Sequence, residues 1–152
     1  MRFSSIDGKI AIIDVLQYST HDDPQLRGQV SLLACMVLSN VIGGFNLTSV
    51  EPKTLVRIID ETLSDKETAA SRLALQGLQH FLPMALEGPF CMETVPLLRS
   101  LLKIAKNPYW LVRVDLLEVF GSFSWIALEF GLQNQTDFQL PKFQESFLRK
   151  FE

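Results

Sequence analysis

Two cysteines and two histidines in 152 residues leave little material for a disulfide framework or a metal centre. Cys35 and Cys91 allow at most one bridge. The first sits in an apolar helical run and the second in a loop, so both read as free thiols of a reducing compartment. His21 and His80 have no Cys, His, Asp or Glu at ligand spacing, which excludes a tetrahedral site, and no cofactor is expected. A nucleophile elbow and a glycine-rich loop after a strand are also missing. Asp60 and Glu61 read as solvent-facing carboxylates at a helix end, so catalysis is not expected. No stretch alternates with period two, which leaves no candidate strand.

Charge of one sign is scarce as well. With 14 Lys and Arg against 17 Asp and Glu the net charge is −3, and the basic residues are scattered, so nucleic acid is not an expected partner. A long hydrophobic run is lacking too. The uncharged stretch from Gly28 to Val50 has an apolar core only from Val30 to Ile42, broken by Ser31, Ser39 and Asn40, which is too short and too polar to span about 30 Å. Ile10 to Ile13 is flanked by charges and has no cleavage site, so it does not read as a signal peptide. Without one, the sequons at Asn46 and Asn134 read as chance.

What the chain does have is 47% apolar residues, and they recur at helical spacing between turns with a shared grammar. Asn107-Pro108-Tyr109-Trp110-Leu111-Val112-Arg113 offers an N-cap oxygen, a proline at the first helical position and an apolar-Arg pair. Asp22-Asp23-Pro24-Gln25-Leu26-Arg27 repeats it, and Arg27 and Arg113 lie twice 43 residues apart. A step of 43 aligns Leu26, Ala69 and Val112, then Val30, Leu73 and Leu116, and places Asp22 on Asp65 in the turn Ser64-Asp65-Lys66-Glu67. The middle copy keeps the acidic turn and, with Ala70 at the Arg position, loses the basic partner. That period falls within the roughly 40–47 residues of helical-pair repeats.

The spacing predicts three antiparallel helix pairs over 6–44, 50–86 and 92–131, with part of a fourth over 141–152. In the first pair Ile6, Ile10, Ile13 and Leu16, backed by Ile12 and Val15, precede a second helix from Pro24 with a buried stripe of Leu26, Val30, Leu33, Val37 and Val41. Pro83 limits the fourth helix, and the sixth is expected from Pro108 to about Phe130. Trp110, Phe120, Phe123 and Trp125 read as core between pairs, Trp110 being the candidate exception. Phe143, Phe147 and Phe151 line one face of the last segment. Natural arrays close with polar caps, so this segment reads as cut from a longer solenoid. Asp22, Asp23, Pro24, Arg27, Asp65, Asn107, Pro108 and Arg113 are the structural residues of the repeat turns, each Arg being placed to reach the acidic turn of the neighbouring repeat.

A proline and then an apolar-Arg pair opening the second helix, as in the first and third copies, resembles the HEAT repeat. Asp23-Pro24-Gln25-Leu26-Arg27-Gly28, Tyr109-Trp110-Leu111-Val112-Arg113 and Leu116-Leu117-Glu118 resemble the amino-terminal HEAT region of the huntingtin family, with the character of an invertebrate relative, over most of residues 9 to 152. The loops and Phe45 to Glu51 depart from it. The resemblance implies an all-α HEAT-repeat α-solenoid of three stacked antiparallel helix pairs plus one C-terminal helix. It also implies a non-catalytic cytoplasmic scaffold for protein-protein interaction in vesicle transport and autophagy, with huntingtin-associated proteins and neighbouring repeats of the same chain as partners. In that reading the second helices offer Gln29, Ser31 and Asn40 to a partner. The alternative is a generic HEAT or armadillo adaptor with a membrane-surface or transport role, for which Lys142 to Phe151 is the one weakly basic amphipathic candidate.

Overall fold

Three short polar side chains open the second helices of the pairs at a fixed interval. Asp23 Oδ1 accepts the Gln25 N–H, Asp65 Oδ1 the Glu67 N–H and Asn107 Oδ1 the Tyr109 N–H, each at 2.9 Å. Each bond bends the chain two residues on and satisfies a donor that the first helical turn leaves free. The three turns are spaced by 42 residues, one fewer than the step read from the sequence. First helices obey the same number. Leu55, Val56, Ile58, Ile59, Thr62 and Leu63 are buried, and so are their equivalents Leu97, Leu98, Ser100, Leu101, Ile104 and Ala105.

The computed structural model describes residues 12–42, 50–86, 94–125 and 149, and among these there is no strand. Helical turns at 12–16 (α1) tighten into a 3-10 turn over Gln17–Thr20. There follow α2 (Pro24–Ile42), α3 (Pro52–Leu63), α4 (Thr68–Leu86), α5 (Val95–Ile104) and α6 (Trp110–Ser122). They form an all-α solenoid of stacked pairs. Within the pairs α2 follows α1, α4 packs on α3 and α6 on α5; between them α2, α4 and α6 stack in one layer while α3 meets α5 in the other. One contiguous core runs between the layers from Ala34 to Phe123. Its fully enclosed side chains include Leu38, Leu55, Ile59, Leu75, Phe81, Leu98 and Leu116, each stabilising the fold by roughly 1.5–3 kcal/mol relative to exposure.

Several boundaries differ from the sequence reading. Pro83 does not end α4, which runs on to Leu86; the proline removes one backbone donor, and Ala85 and Leu86, both buried, hold the last turn in place. The sixth helix starts at Trp110 rather than at Pro108, with Tyr109 extended as its N-cap. It stops at Ser122, not near Phe130: Phe123 is extended at φ −118° and ψ 159°. Gly121 weakens the last turn, and the Ser122 hydroxyl donates to the Val119 carbonyl at 2.6 Å, a local bond that competes with helix continuation. In α1 the buried stripe is rotated. Ile13 is exposed, whereas Ile12 and Leu16 pack on the core. Val30 and Val37 are buried as expected, but Leu26 and Leu33 are half-buried, and α2 also buries Ser31, Ala34, Cys35 and Leu38. Phe143, Phe147, Phe151, Cys91 and Val41's side chain lie outside the described residues.

The reason α2 rotates is its approach to α4, the most extensive helix contact of the structure. A Cβ on Gly28 would lie 2.9 Å from Leu73 Cβ and 3.1 Å from Ala70 Cα; one on Gly77 would lie 2.8 Å from Cys35 Sγ and 3.4 Å from Leu32 Cα. Gly28 faces Ala70 and Cys35 faces Gly77, both 42 residues apart, so the helices run parallel and in register with their backbones nearly touching. Burial between them pushes the Cys35 thiol well above its ordinary range, which keeps it protonated and unreactive.

Gly28→Ala and Gly77→Ala should each destabilise the chain by about 1–3 kcal/mol through overpacking. Gly121→Ala, where an added Cβ meets nothing within 4 Å, should be neutral or stabilise by up to about 1 kcal/mol. Urea titration of the three variants checks both signs.

Candidate interaction surface

The repeat turns hold a chain of ion pairs that join each pair to the next. Arg27, on the first turn of α2, grips Asp65 with both arms of its guanidinium: Nε donates to Oδ2 at 2.7 Å and Nη2 to Oδ1 at 2.9 Å. Its remaining nitrogen, Nη1, donates to the backbone carbonyls of His21 at 2.7 Å and Asp22 at 2.9 Å. The fork geometry of arginine suits this double contact, which a lysine could not reproduce. Asp65 also takes the Glu67 N–H. The Arg27 guanidinium holds the Asp65 carboxyl below its usual range, burial opposing it and the Glu67 N–H assisting.

Of the eight turn residues singled out in the sequence, the structure brings together Asp22, Arg27 and Asp65, with Asp22 contributing its carbonyl and not its carboxylate. Asp23 caps α2 and Pro24 is its first residue. Asn107 turns the chain ahead of α6, and Pro108 sits in the bend before it. Arg113 is exposed on α6.

With the step at 42 the place of Arg27 in the middle copy falls on Ala69, not Ala70, and the missing arginine does not interrupt the ladder. Arg72, three residues on, donates from Nε to Oδ2 of the buried Asp115 at 2.6 Å. Gln79 Nε2 donates to Glu118 Oε2 at 3.0 Å further along the same two helices. In the other layer the Ser100 hydroxyl donates to Asp60, so Asp60 joins α3 to α5 instead of facing water, while Glu61 stays exposed beside Arg57 at 3.3 Å. The sequence signal for Arg72 and Asp115 was opposite charge at repeat spacing, 43 residues apart; Asp60 and Ser100 carried none.

The outward faces of the second helices have a different chemistry. Gln25, Gln29, Met36 and Asn40 are exposed along one side of α2, and Ala69, Gln76, His80 and Met84 along one side of α4. These are amides, thioethers, an imidazole and one methyl group, with no carboxylate, lysine or arginine among them. Ser31, expected there, is instead wholly buried between the helices with its hydroxyl unpaired among the described residues. Trp110 is 58% exposed, while Phe120, Phe123 and Trp125 form an aromatic cluster at the end of α6, with Phe120 and Trp125 stacked at 5.4 Å. Among the described residues no helix is long and apolar enough to cross a membrane, and no group of His, Cys, Asp and Glu is disposed to hold a metal ion. Of the basic candidates near the C-terminus, Arg149 is helical and exposed; Lys142 and Lys150 lie outside the described residues.

Residues 18–151 match the family model described as Huntingtin, N-terminal HEAT. The chain is 28% identical over 135 residues to the HD protein homolog of Dictyostelium discoideum, and 28% identical over 134 residues to the huntingtin of Takifugu rubripes. These alignments cover 80% and 78% of this chain and 4% of each relative. No solved structure matches.

Asp65→Asn should lower the melting temperature at neutral pH. Because the carboxyl of Asp65 is held below its unfolded value, its contribution is complete above the ordinary carboxylate range and is lost as the pH falls through its lowered folded value. The gap between wild type and variant should therefore close on acidification. Thermal melts of both proteins from neutral to acidic pH measure it, and a gap that widens in acid would show that the pair is not the source.

Proposed function

The chain belongs to the huntingtin N-terminal HEAT family, and on that premise we propose that it is a non-catalytic segment of a cytoplasmic scaffold that holds partner proteins for vesicle transport and autophagy. It spans about 4% of the length of the relatives it matches, so those cellular roles are assigned here as properties of a larger assembly in which this segment takes part. The observation that carries the reading is the uncharged row on α2 and α4. Glutamine, asparagine and histidine side chains present donors and acceptors together, and the thioethers of Met36 and Met84 adapt to apolar knobs of different shape. Such a face suits a partner peptide or helix that brings both backbone polarity and aliphatic side chains. Ion-pair residues, by contrast, are spent on joining neighbouring repeats. The same division supports a non-catalytic role, since Arg27 with Asp65 and Arg72 with Asp115 are held in pairs between neighbouring repeats.

Replacing Met36, Gln76 and His80 together with glutamate tests this assignment, because the three are exposed and surface changes typically alter stability within about 0.5 kcal/mol each. Proximity labelling in cells should recover vesicle-transport and autophagy proteins with the wild-type chain and lose them with the variant, at unchanged melting temperature. Recovery of the same proteins by both would move the partner surface elsewhere, and recovery of none by the wild type would remove the scaffold reading.

A further inference from the structure

The layer of first helices has a chemistry that the polar row of α2 and α4 lacks. Helices α3 and α5 lie side by side, and the furrow between them holds two depressions of roughly 310 Å³ each. Val56 and Pro96 make the apolar wall of the first, with Lys53 and Arg57 at its rim. Leu63 and Ile104 underlie the second, which is edged by Ser64, Lys103, Lys106 and Asn107. The Ser100 hydroxyl, donating to Asp60 across the furrow, forms the saddle between them. Lys53, Arg57, Lys103 and Lys106 are exposed, so four cations line this furrow on a chain whose net charge is −3. The two carboxylates that line it are already engaged: Asp60 takes the Ser100 hydroxyl, and Asp65 is gripped by Arg27. Arg57 touches Glu61 at 3.3 Å, an exposed pair of the kind that contributes little, so its guanidinium is open to another acid.

We propose that the furrow between α3 and α5 docks an extended acidic peptide of another protein, with an aliphatic side chain seated against Val56 and Pro96 and a carboxylate held between Lys103 and Lys106. Charge complementarity identifies the occupant. Cations stand at both ends and the acids between them have partners, so an acidic segment is attracted along its length whereas a basic one is repelled. The geometry sets its spacing. Val56 and Leu63 stand seven residues apart on α3, about 11 Å at 1.5 Å per residue, which an extended chain covers in about three to four residues at roughly 3.3 Å each. Other anionic partners fit less well. A nucleic-acid backbone would carry its phosphates past Asp60 and Asp65, and among the described residues no large apolar side chain is exposed on α3 or α5 to enter a membrane surface. The furrow lies on the layer opposite the polar row, so this assignment does not rest on the one made there.

The test uses the full natural polypeptide and a fluorescein-labelled probe, acetyl-Gly-Glu-Glu-Leu-Gly-Ser-Glu-Glu-Gly-amide, followed by fluorescence polarisation at about 0.15 M salt, where exposed charges more than roughly 8 Å apart are largely screened. Wild type should bind the probe, and Lys103→Glu with Lys106→Glu should weaken binding by about tenfold or more. Lys53→Glu with Arg57→Glu, at the other end of the furrow, should do likewise, as should a probe with glycine in place of its leucine. Lys66→Glu, exposed but lining neither depression, should change the affinity by less than about twofold, and the variant carrying glutamate at positions 36, 76 and 80 should match wild type. Absence of binding by wild type, equal binding by either double variant or by the leucine-free probe, or an equal loss with Lys66→Glu overturns the proposal. So does tighter binding to phosphatidylserine vesicles or to a single-stranded oligonucleotide that is lost in the same double variants, because a lipid or phosphate surface would then be the occupant. Proximity labelling of the polar-row variant leaves these readouts untouched, so the two assignments fail separately.

Discussion

The near-contact of two backbones, α2 against α4, is the constraint to which the rest of the structure conforms. Two glycines permit it, Gly28 and Gly77, and together with Ser31, Ala34, Cys35, Ala70, Ser71 and Ala74 they make a seam of small side chains that interior packing density leaves no slack to enlarge. Once the helices lie this close, the larger apolar residues on each must turn toward the first helices. Leu38, Leu78 and Phe81 are accordingly enclosed in the core, and Leu26 and Leu33 are only half-buried. The seam also sets the register. It brings Arg27 beside Asp65, because an arginine one turn into α2 then lies level with the turn that precedes α4.

Polar links between repeats follow from this arrangement in two forms. At the first joint, the bidentate pair of Arg27 and Asp65 closes over the end of the seam, and the backbone carbonyls of His21 and Asp22 complete the guanidinium's donors. At the second, Arg72 and Gln79 reach across from α4 to Asp115 and Glu118 on α6. Breaking a pair by removing one partner is costly when the other is enclosed, and Asp115 is the more enclosed of the two acids. The two joints therefore rest on different physics: backbone proximity at one, long side chains at the other.

Much of this was legible in the sequence because helical periodicity and capping chemistry are local. The helix pairs, the turns at Asp23, Asp65 and Asn107, and the family were all readable from residue types and spacing. The step was misread as 43 because an apolar stripe on a buried helix is at least 100° wide, so a one-residue error, itself 100°, still lands apolar on apolar. The buried side of α2 was misread in part: Val30 and Val37 are buried as expected, whereas Leu26 and Leu33 are only half-buried, because the seam against α4 is made of glycine, serine, alanine and cysteine, small side chains that carry a weak hydrophobic signal. Arg72 and Asp115 were legible only to a search for complementary charge at repeat distance. Helix ends were least legible, since Pro83 and Gly121 act through one backbone bond each, and distant burial decides whether the turn survives.

The difference between the joints also has a mechanical meaning. Pulling α2 from α4 separates short side chains that must lose contact all at once, so that joint is stiff and brittle. Pulling α4 from α6 first straightens Arg72 and Gln79, whose several rotatable bonds lengthen before they let go. A load along the axis of the array would be taken up as bending between α4 and α6, with the first two pairs moving as one block. The position of two glycines thus decides where this stretch of solenoid acts as a spring and where it acts as a strut.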